Sequence, residues 1–248
     1  AEGEGGRWVP VDALGRLGGA VSETKPFPVA NLRRGVRPES VALIGVSTKM
    51  NMGRIILGSV LEAGFDKDRC YVVREGQDAI DGVRCVPSIA ELPEVVDLLV
   101  LAVPAPSVPE VLSQVYESGK VRAVLLIPGG MGETEGGKGI AQKVEELVAA
   151  QEGERAVLIG NNSVGLVSRR AKLDTFFIPK EKLPRRADGM GNIAFISQSG
   201  AFLLTQLGKL DRIQLQALIL ADELTTGDRR DVAEHRLATI AKTGGLHH

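Results

Sequence analysis

Apolar and polar positions along this chain alternate between two spacings. Val41-Ala42-Leu43-Ile44-Gly45-Val46 is a continuous apolar run, as expected of a strand buried on both faces. After a turn, Ile55, Ile56, Val60 and Leu61 fall on one side of a helix expected over residues 53–63. Tyr71-Val72-Val73 reads as a second strand, and Ile80-Asp81-Gly82-Val83 as a tight turn leading to Pro87. Residues 97–103 give a third strand, with Val108, Val111, Leu112 and Val115 striping the helix behind it. Residues 121–127 and 155–159 give a fourth and a fifth strand, and Ile140, Val144, Leu147 and Val148 mark the helix between them. Strands and helices alternating through short loops predict an α/β fold, a parallel sheet covered by helices on both sides. Ligands in such folds bind where strands end, here residues 45–53, 73–76, 103–107, 127–133 and 160–165.

The two ends of the chain break this rhythm. Residues 1–38 show little periodicity and read as an extended or partly helical arm. Residues 178–191 are rich in Pro, Arg and Gly and mark a boundary. Beyond it lie a strand over 192–197, a turn at Gln198-Ser199-Gly200, a helix over 201–210, a strand over 213–220 and a helix over 228–242. The expected organisation is an arm (1–38), a domain (39–180), a linker (181–191) and a partial second α/β unit (192–245). Two strands and two helices are few for an independent domain, so self-association or another chain is expected to cover the apolar surface. Leu246-His247-His248 reads as a tag remnant.

Composition narrows the function classes. With 30 Lys and Arg against 31 Asp and Glu in 248 residues, the net charge is −1, which argues against a nucleic-acid surface spread over the chain. No apolar run approaches the roughly 18 residues of a membrane span. The start, Ala1-Glu2-Gly3-Glu4, lacks the build of a signal peptide. A cytoplasmic protein with no membrane partner is expected. Cys70 and Cys85 stand in apolar segments outside any Cys/His cluster, so they read as core residues rather than metal ligands. Glycines number 30 and aromatics make up 4%, which favours a site built from backbone over one built from stacking rings.

The turn from Gly45 to Gly53 holds Ser47, Thr48, Lys49 and Asn51 ahead of a helix N-terminus. Such a turn seats a phosphate, or it is an ordinary loop capped by Ser or Asn. It is no G-x-G-x-x-G fingerprint, because Ser47 stands at the second glycine position. Arg74, where an NAD fold places an acid, suits a ribose phosphate, as in NADP or coenzyme A, or is a solvent-facing arginine. Val103-Pro104-Ala105-Pro106-Ser107 makes a stiff apolar wall or simply opens the next helix. Gly129-Gly130 lets a ligand approach the backbone. Residues 132–139 imitate a P-loop but end in Gly139 instead of Ser or Thr, which excludes a Walker ATPase. Ser197-Gln198-Ser199-Gly200 is a second strand–turn–helix anion seat and no nucleophile elbow, since Ser197 replaces the first glycine. His235 lies on a charged helix without a triad context.

Five segments in order resemble the CoA-binding half of NDP-forming acyl-CoA synthetases, the family of the succinyl-CoA synthetase alpha subunit. They are Ser40 to Ser47, Asp97 to Pro106, the Gly-rich loop with Glu133, Gly160-Asn161-Asn162-Ser163-Val164-Gly165, and Gly191 to Ala201, within a likeness spanning about residues 36–232. The resemblance implies a Rossmann-like CoA-binding domain followed by a partial flavodoxin-like, succinyl-CoA ligase-like unit. It implies that Gly45, Ser47 and Lys49 take the phosphates of coenzyme A, with Arg74 nearby. Val103, Pro104 and Ala105 would flank the adenine or the pantetheine arm, and Gly129 and Gly130 would pass the thiol end onward. Gln198, Ser199 and Gly200 would hold the phosphoryl group of a phosphohistidine or acyl phosphate. The chain departs from the family where Gly-Pro-Asn-Cys reads Gly160-Asn161-Asn162-Ser163, and no Gly-rich histidine loop follows residue 200. The resemblance therefore implies a ligase component that does not act alone, with no catalytic residue of its own here. An ATP-grasp subunit or domain would bring ATP or GTP. A CoA- or acyl-CoA-sensing domain and an NADP-binding oxidoreductase fragment are the other readings.

Overall fold

The computed structural model describes residues 28–131, 135–179, 182–183, 193–197, 199–209 and 215–220. A helix, α1 (Val29–Val36), precedes the first strand. The strands of the main sheet are β1 (Val41–Ile44), β2 (Cys70–Val73), β3 (Ala79–Ile80), β4 (Val83–Val86), β5 (Leu98–Leu101), β6 (Ala123–Leu126) and β7 (Val157–Ile159). Between them run α2 (Met52–Glu62), α3 (Val108–Ser118) and α4 (Glu135–Ala149). The spatial order is β3-β4-β2-β1-β5-β6-β7, and every pair is parallel except β3 with β4. The parallel α/β sheet expected from the alternating pattern, and the Rossmann-like fold that the family resemblance implies, are therefore present.

The apolar runs form strands because parallel strands must be covered on both faces. β2, β5, β6 and β7 are buried throughout. On one face Leu32 and Val36 of α1 join Ile56, Leu57 and Val60 of α2 over Val41 and Leu43. On the other, Val108, Leu112 and Val115 of α3 join Val144 and Val148 of α4 over Ala42, Leu99 and Leu101. The chain moves from β1 to β2 and β4 on one side, then returns to β5 on the other. The crevice of such a sheet opens at that reversal, beyond the ends of β1 and β5.

Two features extend the sequence reading. The end of the arm is a docked helix: Leu32 and Val36 are buried, and Asn31 Nδ2 donates to the Arg155 carbonyl at 2.9 Å. Gly35 lies so close to the sheet that a Cβ there would collide with Ala123. The second feature is a sheet of order β10-β11-β8-β9, built from β8 (Leu166–Ser168), β9 (Leu173–Asp174), β10 (Ile193–Ser197) and β11 (Leu215–Leu220), with α5 (Gly200–Lys209) joining β10 to β11. β10 and β11 are parallel, as the strand–helix–strand pattern predicts, while β8 runs antiparallel to β11. This sheet thus takes strands from both sides of the 181–191 stretch. Leu166 and Leu173 join the α2 side of the core, and Ser59 of α2 donates to the Phe176 carbonyl at 3.1 Å.

β5 is shorter at both ends than the expected stretch 97–103, and Asp97 stands just ahead of it. Its carboxylate accepts from the Glu39 amide at 2.9 Å and faces Arg122 at 3.5 Å. Residues 1–27, Gln198 and the helix expected over 228–242 lie outside the described residues. Among the described residues no helix is long and apolar enough to cross a membrane.

Candidate functional site

The turn after β1 begins at Gly45, with φ +95. A side chain is excluded here on two counts, since a Cβ would strain the backbone and collide with the Ala102 carbonyl oxygen. The turn therefore rests directly against the end of β5. At its other end Gly53 packs as closely, where a Cβ would stand 2.5 Å from the Gly45 oxygen. These two glycines let α2 begin hard against the sheet.

Between them the loop is held by side chains. Asn51 is the N-cap of α2: its Oδ1 accepts from the Arg54 amide at 2.9 Å and the Ser47 amide at 3.3 Å, and its Nδ2 donates to the Gly45 carbonyl at 2.8 Å. Arg54 Nη1 donates to the Ser47 carbonyl at 3.2 Å and the Thr48 carbonyl at 2.9 Å. Arg74 Nη1, arriving from the end of β2, donates to the Val46 carbonyl at 2.9 Å. The carbonyls of four consecutive residues, 45 to 48, are thus occupied by side-chain donors, three of the four by guanidinium groups. Carbonyl oxygens are what repel an anion, so this wiring lowers the negative potential where α2 presents its positive end. No acidic residue stands in the first turn of α2. Ser47 is half-buried and accepts from the Lys49 amide at 3.2 Å, while Lys49 is exposed beside the exposed Met50 and Met52.

Arg74 is half-buried, not solvent-facing. Its placement against Val46 brings Gly45, Ser47 and Arg74 to one mouth, with Val103 across the β1–β5 boundary. Val103 and Ala105 are half-buried against the α3 side of the core, and Pro104 is exposed between them. Residues 105–107 make a single 3₁₀ turn before α3.

The second wall combines the turns after β6 and β7. Gly129 is exposed, and a Cβ there would stand 2.6 Å from Asn162 Oδ1. Gly130 has φ +86. Asn162, itself at φ +50, donates its amide to the Pro128 carbonyl at 2.9 Å. Asn161, where the family pattern has proline, donates its side-chain amide to the Met131 carbonyl at 3.0 Å. Ser163, in the cysteine position, is buried and accepts from the Gly165 amide at 3.2 Å.

The turn after β10 is simpler. Ser197 Oγ donates to the Ser199 carbonyl at 2.9 Å, and Ser199 Oγ accepts from the Phe202 amide at 3.3 Å, capping α5. Ser199 is exposed and Gly200 half-buried at that helix start. Gln198, grouped with them by sequence, lies outside the described residues.

Neither cysteine contributes chemistry. Both are free and buried, and burial pushes the Cys70 thiol up to about 12 and the Cys85 thiol up as well. Among the described residues no group of three His, Cys, Asp or Glu is placed to hold a metal ion.

A family model described as CoA binding domain matches residues 39–169, from the residue before Ser40 to the residue after β8. The chain belongs to the CoA-binding domain family. The alpha subunit of an ADP-forming acetate–CoA ligase I from Pyrococcus furiosus is 35% identical over 205 residues, covering 79% of this chain and 42% of that one. An ADP-forming acetate–CoA ligase II from Archaeoglobus fulgidus is 33% identical over 186 residues, covering 74% of this chain and 26% of that one. Among solved structures, the dinucleotide forming acetyl-coenzyme A synthetase 1 of Ca. Korarchaeum cryptofilum, in complex with phosphate and ADP, superposes with a TM-score of 0.68 at 26% identity. That match covers 82% of this chain and 42% of that one. This CoA-binding domain chain thus spans less than half the length of these relatives.

The hydrogen-bonding roles of Asn51, Arg54 and Asn161 in these turns were not among the expectations from sequence. Asn51 carried a signal, a polar cap residue just ahead of the apolar periodicity. Arg54 and Asn161 carried none, because their partners are fixed only by the fold.

Proposed function

We propose that this chain is the coenzyme A-binding component of an ADP-forming acyl-CoA synthetase. It acts with an ATP-grasp subunit or domain on the reaction acid + CoA + ATP to acyl-CoA + ADP + phosphate. The observation that carries this reading is the turn after β1, whose carbonyls 45–48 are all drawn away by Asn51, Arg54 and Arg74. A turn so arranged, beside a helix N-terminus in a CoA-binding domain, is suited to a diphosphate. Gly45 brings the backbone close, Ser47 and Lys49 offer a hydroxyl and an ammonium, and Arg74 stands at the strand end where a ribose phosphate lies. Only Nη1 of Arg74 is engaged through its side chain among the described residues, which leaves Nη2 for the 3′-phosphate. Val103, Pro104 and Ala105 form the apolar side of the mouth, and Gly129 and Gly130 the side along which the thiol leaves. Coenzyme A supplies the thiol that accepts the acyl group. Ser199 and Gly200, with Gln198, serve the phosphoryl group at the start of α5. The setting is cytoplasmic.

Calorimetry with coenzyme A, its 3′-dephospho form and NADP tests the reading. Coenzyme A is expected to bind, removal of the 3′-phosphate to weaken it, and Arg74→Ala to abolish that difference. Tight NADP binding with no binding of coenzyme A would overturn the proposal.

A further inference from the structure

The structure assigns to Arg54 and Asp81 a joint positioning role: the hairpin at the sheet edge aims the Arg54 guanidinium, which in turn holds the turn after β1. The inference rests on the coenzyme A reading for its ligand, though not for its geometry. Asp81 and Gly82 join β3 to β4 as a two-residue turn, with φ +52 and +78. Positive φ at both central positions is the tight hairpin turn that matches strand twist, and Asp-Gly is a preferred sequence for it. The turn fixes where the Asp81 carboxylate stands. From there Oδ1 accepts from Arg54 Nη2 at 2.6 Å. Lys67 Nζ reaches the Asp81 carbonyl at 3.5 Å, tying the same turn to the chain ahead of β2.

The pair is partly sheltered, with the Arg54 side chain 23% exposed and that of Asp81 39% exposed. At that exposure the ion pair contributes little to global stability. Its consequence is directional. A guanidinium is a planar fork, so fixing Nη2 on a carboxylate sets the direction of Nη1. Nη1 is the group that occupies the Ser47 and Thr48 carbonyls. Thus a residue of β3–β4, two strands away from β1, sets which way the phosphate turn faces. Neither residue need touch the ligand for this.

Two substitutions separate aim from fold. Asp81→Asn keeps an oxygen acceptor and tolerates the left-handed backbone as aspartate does, so the hairpin stands. Arg54→Lys keeps the charge and removes the fork, and a single ammonium cannot serve three acceptors in that plane. In the 248-residue chain, Asp81→Asn is expected to weaken coenzyme A about threefold and Arg54→Lys about tenfold. The double variant is expected to bind about as Arg54→Lys alone does, because the two residues act in series. Unfolding midpoints should stay close to that of the unaltered chain. Amide resonances of Ser47, Thr48 and Lys49 should move in Asp81→Asn without any ligand, a response that a hairpin with only a local role would not give. Unchanged loop resonances, or losses of affinity that simply add in the double variant, overturn the assignment. If the unaltered chain binds no coenzyme A while those resonances still move, the ligand reading fails and the positioning role stands.

Discussion

The turn between β1 and α2 runs from Gly45 to Asn51, whereas only Gln198 and Ser199 separate β10 from α5. Both are strand–turn–helix units, and in both the turn leads into the positive end of a helix. The first is held from outside, by Asn51 and Arg54 of its own helix, by Arg74 from β2 and, through Arg54, by Asp81 from an edge hairpin. In the second, the bonds among the described residues run from its own two serines to each other and to the Phe202 amide. A long turn has many shapes, and several distant anchors are needed to select one of them. A short turn is selected by local bonds alone. The long turn is therefore the one whose shape residues of several elements set, while the bonds described at the short one lie within the turn and the start of its helix.

The largest effect expected from breaking this contrast is at Gly45. Gly45→Ala forces φ +95 on a residue with a Cβ and drives that carbon into the Ala102 carbonyl. A loss of about 3 kcal/mol is expected, read as a fall in the denaturant midpoint, with coenzyme A binding lost as well. Asn51→Ala comes next. It removes the cap of α2 and the link to the Gly45 carbonyl together, for about 2 kcal/mol of stability. Coenzyme A affinity should fall about tenfold with it, since the loop loses its hub and that weakening corresponds to 1.4 kcal/mol. Asn51→Asp, which keeps the capping oxygen and loses the donor to Gly45, should recover stability more than affinity. If affinity recovers fully, the carbonyl wiring is not what prepares the turn.

Ser199→Ala tests the other half of the comparison. Loss of the cap on α5 should cost about 1 kcal/mol and leave coenzyme A affinity as it was. Calorimetry on that variant separates the two turns cleanly. A drop in affinity of the size seen for Asn51→Ala would show that the short turn is coupled to the first site after all.

What the sequence made legible follows the same division. β1, β5 and β6 were visible because two-faced burial writes a continuous apolar run, and the loops at their ends follow from that rule. The Asp81-Gly82 turn was visible from its residues. The role of Asp81 was not, because Arg54 is its partner only once β4 lies beside β2. β8 and β9, of three and two residues, are too short for any periodicity, so their pairing with β11 could not be read. Arg74 was read as a phosphate ligand or a surface residue, and its bond to the Val46 carbonyl shows a third role, that of a brace.

The smallest effect concerns the opposite wall, at Asn161. Where the family pattern has proline, a ring would fix φ by itself and offer no donor. Asn161 instead anchors the Gly129–Met131 turn through a half-buried hydrogen bond to the Met131 carbonyl, while the neighbouring amides of Asn162 and Ser163 bind the Pro128 and Leu126 carbonyls. Those two backbone bonds survive in Asn161→Ala, so the wall should keep its course and lose about 0.5–1 kcal/mol. The change expected for coenzyme A is at most about twofold, against the tenfold at Asn51, because the backbone anchors of this wall remain, whereas Asn51→Ala removes the hub of a loop. Hydrogen exchange at Gly130 and Met131 should quicken in the variant while exchange at Ser47 and Thr48 stays as it was. Faster exchange in both turns would mean that the two walls of the crevice move as one body, and the independence of the β1 turn from its opposite wall would have to be given up.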